Sequence, residues 1–195
     1  MRSLKGDFKS RYLLWFLLAI PGLISTFQYQ TGSLYYGEYI HVTGEFSVRL
    51  LMLTMAITPL RMMFPNHRWP VWLMKRRRYF GVATFGYAAP HLVAYLVKIG
   101  AFGKIATEAL EPGMMTGWIA MIVFTVLAVT SNNPSVRYLK ARWKSLHRLV
   151  YVAAVMTFLH WILVAFNPVA ALIHAAVLVL LETFRIWITQ NSKSH

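Results

Sequence analysis

Arg142-Trp143-Lys144-Ser145-Leu146-His147-Arg148-Leu149-Val150-Tyr151, continuing through Val152 to His160-Trp161, is the stretch whose reading decides the fold. It opens basic, turns into an apolar run and carries two histidines thirteen positions apart. A helix rises ~1.5 Å per residue, which puts His147 and His160 roughly 20 Å apart along one axis. That is a large part of a hydrocarbon layer ~30 Å thick. A segment that spans a bilayer would hold one imidazole near its basic end and the other deep towards the far side. Histidine within a membrane is costly and by default marks a site.

The composition supports that setting. Of 195 residues, 57% are hydrophobic and 13% charged, and the mean hydropathy is +0.50. Soluble domains carry about 25% charged residues, so the chain reads as an integral membrane protein. The formal charge of +14 does not point to nucleic acid. The cations sit in short blocks between apolar runs, the pattern that orients membrane helices. There is no cysteine, which excludes disulfides, thiolate metal sites, cysteine-ligated clusters and a cysteine nucleophile.

Worked outward, the chain predicts an all-α, six-helix membrane bundle forming one domain over 1–195. The expected spans are Tyr12–Phe27, Phe46–Phe64, Tyr79–Gly100, Gly117–Thr130, Leu146–Phe166 and Val169–Ile188. Leu13–Phe27 reads as a first span that is retained, kinked at Pro21-Gly22. The Arg2, Lys5, Lys9 and Arg11 arm, the Pro65–Arg78 segment and the Ser131–Lys144 segment carry the cations. Pro65–Arg78 reads as an inside loop lying at the headgroups. Gln28–Ile40 and Ala101–Thr116 are poor in cations and read as outside. Both termini are thus expected in the cytoplasm of a bacterial cell, with the chain in the inner membrane.

Depth then pairs two histidines. His91 lies about twelve residues into the third span and His160 about fourteen into the fifth, so both sit roughly 18–21 Å above the inner surface. Two imidazoles at one depth on neighbouring helices can hold the iron of a haem between them, given apolar walls. Phe85, Tyr87, Leu92, Tyr95, Met156, Phe158 and Trp161 are the expected walls. His147 lies near the inner surface and is open to a second haem, to the edge of a flavin or quinone, or to a plain interfacial role. Thirteen residues turn a straight helix far from the starting face, so His147 and His160 do not address one partner without a kink. His174 falls at a depth similar to His160 and reads as packing, a propionate contact or an alternative ligand. His41 is at the outer rim, where propionate contact, partner docking and an ordinary turn histidine compete; His67 and His195 read as solvated. Lys75, Arg76, Arg77 and Arg78 are an orientation signal that could also hold a flavin phosphate, haem propionates or acidic lipid. Met52 and Met55 read as membrane packing rather than copper ligands.

The residues also carry a family resemblance. His41-x-Thr43-Gly44, Ile57-Thr58-Pro59-Leu60-Arg61, Arg77-Arg78-x-x-Gly81 leading to His91-Leu92-x-x-Tyr95, Thr130-Ser131 and Arg142-Trp143-x-x-Leu146-His147-x-x-Val150-Tyr151 ending in His160 occur jointly and in order. Together they resemble the MsrQ (YedZ) family, haem-binding membrane subunits of periplasmic methionine sulfoxide reductase systems. These belong to the ferric-reductase-like transmembrane superfamily that includes the NADPH oxidases. The resemblance implies haem b, with FMN as a further cofactor. It implies electrons from the quinone pool or a cytosolic flavin reductase, delivered to a periplasmic MsrP-like molybdoenzyme. It carries His91, His147 and His160 over as haem-linked histidines. The position thirteen before His91 is Arg78, where the oxidase-type arrangement places the histidine of a second bis-histidine haem. With six spans and no nucleotide-binding domain, oxidation of NAD(P)H is expected on another protein. The competing reading is a small transporter or proton channel with a histidine relay. Its expected acidic partners are sparse, with Glu45 at the rim and Glu182 near the inner end.

Overall fold

The computed structural model describes residues 2–191, with side chains from residue 12 onward. The side chains of the N-terminal basic arm, Lys193 and His195 lie outside the described residues. The regular structure of the described chain is all helix: α1 Arg2–Gln30, α2 Tyr36–Met63, α3 Arg68–Ile99, α4 Phe102–Glu108, α5 Pro112–Val129, α6 Asn133–Leu139, α7 Ala141–His147, α8 Val150–Val164 and α9 Val169–Asn191. Six segments are long and apolar enough to cross a bilayer: Tyr12–Gln30, α2, α3, α5, α7 with α8, and α9. Even the shortest, 18 residues, reaches about 27 Å at 1.5 Å per residue. The protein is therefore a multi-pass membrane protein. Helix is the form that satisfies every backbone group within one segment in lipid.

Three boundaries differ from the sequence expectation. Only residues 31–35 separate α1 from α2, because α2 starts at Tyr36 rather than near Phe46. Glu38 sits one turn in and accepts the Tyr35 backbone N–H at 3.0 Å, capping the helix. The segment from Arg68 to Arg78 is not a headgroup loop but the first turns of α3. Leu, Met, Lys and Arg are strong helix formers, and Pro70 is tolerated in a first turn whose N–H groups lack partners anyway. The fifth span is not one helix. Arg148 N bonds Ser145 O at 3.2 Å, Leu149 N bonds Leu146 O at 3.0 Å and Tyr151 N bonds Arg148 O at 3.1 Å. These i→i−3 bonds are a 3₁₀-type tightening that divides α7 from α8, and the helix then ends at Val164. His147 thus ends α7 while His160 lies on α8, so the two histidines sit on separate helical segments.

Packing joins α2 to α3 and α5 to α8 most extensively, with α9 against α2 and α8 and with α1 along α2 and α3. The larger core cluster draws Val48, Leu51 and Met55 from α2, Ala120 and Phe124 from α5, Ala153, Ala154 and Phe158 from α8, and Leu178 from α9. Its alanines matter because membrane helices approach closely through small residues. Ser47 Oγ crosses from α2 to the Thr84 carbonyl of α3 at 2.9 Å. The outer surface stays apolar, with Leu23, Phe27, Val97, Ile122 and Leu180 exposed as lipid requires.

The first span shows how a proline is accommodated. Pro21 lies inside α1 and has no N–H to donate, so the ladder is interrupted there. The Tyr87 hydroxyl of α3 enters it, accepting from Gly22 N–H at 3.0 Å and donating to Leu18 O at 2.8 Å. A side chain inserted in the i→i−4 ladder is one of the recognised causes of a bent helix. Gly22 leaves the room: a Cβ there would come within 3.1 Å of the Tyr87 ring.

Candidate functional site

Four helices, α2, α3, α5 and α8, enclose a cavity of about 520 Å³, walled largely by apolar side chains. Ligand pockets span ~300–1,000 Å³. His91 projects into it from α3 and His160 from α8. Their ring centroids are 6.3 Å apart and their planes stand at 84°. An imidazole nitrogen binds a transition metal at about 2.0–2.1 Å and lies roughly 1.1–1.2 Å from its ring centre, so two imidazoles on opposite sides of one metal would place their centroids about 6.2–6.6 Å apart. The observed separation falls in that interval.

Each ring is tethered at the same atom. His91 Nδ1 is 3.0 Å from the Ile40 carbonyl oxygen, and His160 Nδ1 is 2.8 Å from the Gly113 carbonyl oxygen. A carbonyl can only accept, so Nδ1 carries the proton in both rings and Nε2 keeps its lone pair. The rings lie close against the opposing helices. A Cβ at Gly44 would meet His91 Nδ1 at 3.2 Å, and one at Gly117 would meet His160 Nδ1 at 2.7 Å.

The chemistry of this donor set is selective. Among the described residues no three histidine, cysteine or carboxylate side chains converge on one point, so a bare ion finds no cage here. Two neutral imidazoles suit a metal whose remaining positions are filled by a macrocycle of its own. The residues present therefore fit a haem iron.

The expected walls are partly corrected. Leu92, Tyr95 and Trp161 line the cavity. Phe85 and Met156 pack on the core beside the buried Phe158 instead. Tyr87 stacks on Phe46 with centroids 5.1 Å apart while its hydroxyl serves α1. His41 stands at the rim, 63% exposed, with Nδ1 3.8 Å from Glu45 Oε2. His174 lies outside the cavity lining. Its Nδ1 bonds the Ala170 carbonyl of its own helix at 2.7 Å, and its ring leans on Trp161. His67 occupies the position just before α3, makes no side-chain capping bond and meets the Phe64 ring edge-on.

His147 belongs to a second cavity, about 660 Å³, bordered by Lys75, Arg77, Arg78, Lys144 and Arg148. Its Nε2 is 3.1 Å from Thr130 Oγ1, and its ring stacks on Trp143 at 3.9 Å. Trp143 Nε1 in turn donates to the Thr130 carbonyl at 2.9 Å. His147 is the one histidine lining this cavity among the described residues. Arg78 Nη1 donates to Asn133 Oδ1 at 2.7 Å, and Arg77 Nη1 is 3.4 Å from Thr58 Oγ1. Phe124, 7% exposed, contributes to the walls of both cavities.

Comparison with known proteins shows the family. Residues 43–158 match the family described as "Ferric reductase like transmembrane component". The chain is 36% identical over 154 residues to the protein-methionine-sulfoxide reductase heme-binding subunit MsrQ of Xanthomonas campestris pv. campestris (strain B100), covering 77% of this chain and 69% of that one. The chain belongs to the MsrQ family. It is 35% identical to the MsrQ of Agrobacterium fabrum over 159 residues, 77% of this chain and 72% of that one. With the MsrQ of Brucella ovis it shares 30% over 195 residues, 95% of this chain and 86% of that one. No solved structure matches the chain. As a member of the MsrQ family with six spans, the chain is a multi-pass protein of the inner membrane.

In the sequence Thr43-Gly44 is only a family landmark and Gly117 only the start of a span. The structure gives the two glycines one role, as the floor beneath a tethered imidazole. The signal lay in two of the sequence's three Thr-Gly steps, 43–44 and 116–117, the third being 31–32. It was unreadable until the pairing of α2 with α3 and of α5 with α8 was known.

Proposed function

We propose that this chain is the haem-bearing membrane subunit of a methionine sulfoxide reductase system, holding haem b between His91 and His160. The observation that carries the reading is the 6.3 Å pairing of two Nδ1-tethered imidazoles in an apolar cavity among four spans. When bound, haem b supplies a one-electron carrier. The chain's own contribution is to present two Nε2 lone pairs, fix the tautomer through backbone carbonyls and exclude water with Leu92, Trp118, Phe124 and Trp161. Tethered Nδ1–H groups raise the basicity of the ligands and favour the oxidised metal.

The inner cavity accounts for a second cofactor. His147, with Arg77 and Arg78 for anionic groups, takes either a second haem or FMN, the cations meeting propionates or a flavin phosphate. His41, at the outer rim beside Glu45, contacts a propionate or the docked acceptor. Electrons enter from the quinone pool or a cytosolic flavin reductase and leave to a periplasmic MsrP-like molybdoenzyme. This direction requires both termini in the cytoplasm and residues 1–195 acting as one domain. Acidic lipid meets the remaining cations of the inner face.

A histidine relay for protons gains little from the geometry. Both rings in the cavity have Nδ1 committed to carbonyls, and Glu182 lies on α9 with Arg185 Nη2 2.9 Å away. The reading is tested by mixing reduced protein with a periplasmic methionine sulfoxide reductase and its substrate in proteoliposomes. Reoxidation of the haem band on adding methionine sulfoxide supports it; a band that persists with active reductase present overturns it.

A further inference from the structure

We propose that Thr43-Gly44 on α2 and Thr116-Gly117 on α5 are a matched pair of positioning steps that hold His91 and His160 with their planes crossed and tune the iron between them. The proposal rests on the haem reading above. It adds residues on the two helices that carry no ligand.

The two steps are built alike. On α2 the sequence is Ile40-His41-Val42-Thr43-Gly44, and on α5 it is Gly113-Met114-Met115-Thr116-Gly117. In each, the first residue's carbonyl receives the Nδ1–H of a histidine from the partner helix. In each, the threonine hydroxyl donates to that same carbonyl, Thr43 to Ile40 at 3.2 Å and Thr116 to Gly113 at 2.7 Å. In each, the glycine lies four residues after the carbonyl, directly along the helix row that the oxygen points down. An imidazole that reaches the oxygen from outside must lie over that fourth residue, and any Cβ there stands in its way.

The distances rank the two steps. A Cβ at Gly117 would fall 2.7 Å from His160 Nδ1 and 2.9 Å from Cε1, closer than such atoms approach. One at Gly44 would fall 3.2 Å from both Nδ1 and Cε1 of His91. The hydroxyls rank likewise. Thr116 shares the Gly113 oxygen through a short bond, whereas Thr43 divides its hydroxyl between Ile40 and, at 2.7 Å, Tyr39. Thr116 therefore draws more acceptor strength away from its histidine. Carbonyl direction and glycine floor together fix each ring's rotation, and the result is the 84° between the planes. Crossed imidazole planes leave the iron's two out-of-plane d orbitals nearly degenerate. The ferric low-spin signal is then highly anisotropic, dominated by one low-field feature, whereas parallel planes give a rhombic pattern.

The test uses the full-length protein purified in detergent: wild type, Gly117→Ala, Gly44→Ala, Thr116→Val and Thr43→Val. Gly86→Ala serves as the control, at a helical glycine with open space around its Cβ position. Haem per chain, the ferric electron paramagnetic resonance spectrum and the midpoint potential are read for each. Loss of an outer contact to a metal ligand typically weakens metal affinity by about 10–100-fold, and Gly117→Ala is expected in that range, with Gly44→Ala affected less. Haem retained by either alanine variant should show its low-field feature shifted towards the rhombic pattern. Thr116→Val keeps the shape and frees the Gly113 oxygen for His160. It should hold a full haem load at a more negative potential, with a smaller change in Thr43→Val and none in Gly86→Ala. Should Gly117→Ala fail to fold, Thr116→Val and Gly44→Ala decide the matter. Wild-type haem with unaltered spectra and potentials in Gly44→Ala and Thr116→Val overturns this inference alone. A wild type that binds no haem overturns the reading beneath it.

Discussion

Replacing Tyr87 by phenylalanine removes one oxygen from the fold and tests how the first span is held. That oxygen makes two bonds inside the broken ladder of α1, to Gly22 N–H at 3.0 Å and Leu18 O at 2.8 Å. Tyr87 is 5% exposed, so water does not replace it. Leaving a buried backbone group without a partner costs about 1–3 kcal/mol, and two are affected. If Gly22 N–H swings back to Leu18 O, roughly 0.5–1.5 kcal/mol is recovered. The net expectation is a loss of about 0.5–5.5 kcal/mol. For a chain of this length that corresponds to a fall in Tm of about 1–22 °C. Thermal unfolding in detergent, followed by circular dichroism, measures the shift. Hydrogen exchange across residues 18–26 measures whether the Gly22 amide is the group released. Unchanged Tm together with unchanged exchange at Gly22 would refute the inserted-hydroxyl reasoning.

Arg185→Ala strips the partner from Glu182, whose carboxylate lies 2.9 Å from the guanidinium. It also removes the cation above the Tyr151 ring. Breaking a half-buried pair costs about 1–3 kcal/mol, between the exposed and fully buried cases, and adding Glu182→Gln should restore most of it in chemical unfolding. His147→Ala is expected to leave the outer haem spectrum intact while removing the cofactor of the inner cavity, read as haem and flavin per chain; loss of the outer signal as well would contradict two separate sites. Cytoplasmic termini predict that green fluorescent protein fused to either end fluoresces and that alkaline phosphatase fused there is inactive.

Much of the architecture was legible because lipid leaves the backbone few choices. Apolar runs separated by cation blocks gave six spans, and residue counts along two of them put His91 and His160 at one level. The start of α3 is hidden in the sequence because the charge of Lys75 to Arg78 marks an interface, while their helix propensity continues the helix through it. The division of α7 from α8 was hidden for a related reason. A 3₁₀ turn at Arg148-Leu149 uses ordinary residues and leaves no glycine or proline to mark it. The expected cavity walls failed where a side chain had a better use, as with Tyr87. The Thr-Gly steps stayed invisible because their meaning lies between helices: Gly117 is only a small residue until His160 is seen resting on it.

The most direct measurement is the oxidised and dithionite-reduced absorption spectrum of the purified protein, with haem quantified per chain. Wild type and His67→Ala should show the sharp reduced bands of a six-coordinate haem b. His91→Ala and His160→Ala should each lose the signal of the outer site. Normal haem content and unaltered bands in both of those variants would contradict the assignment of the two imidazoles as the iron's ligands.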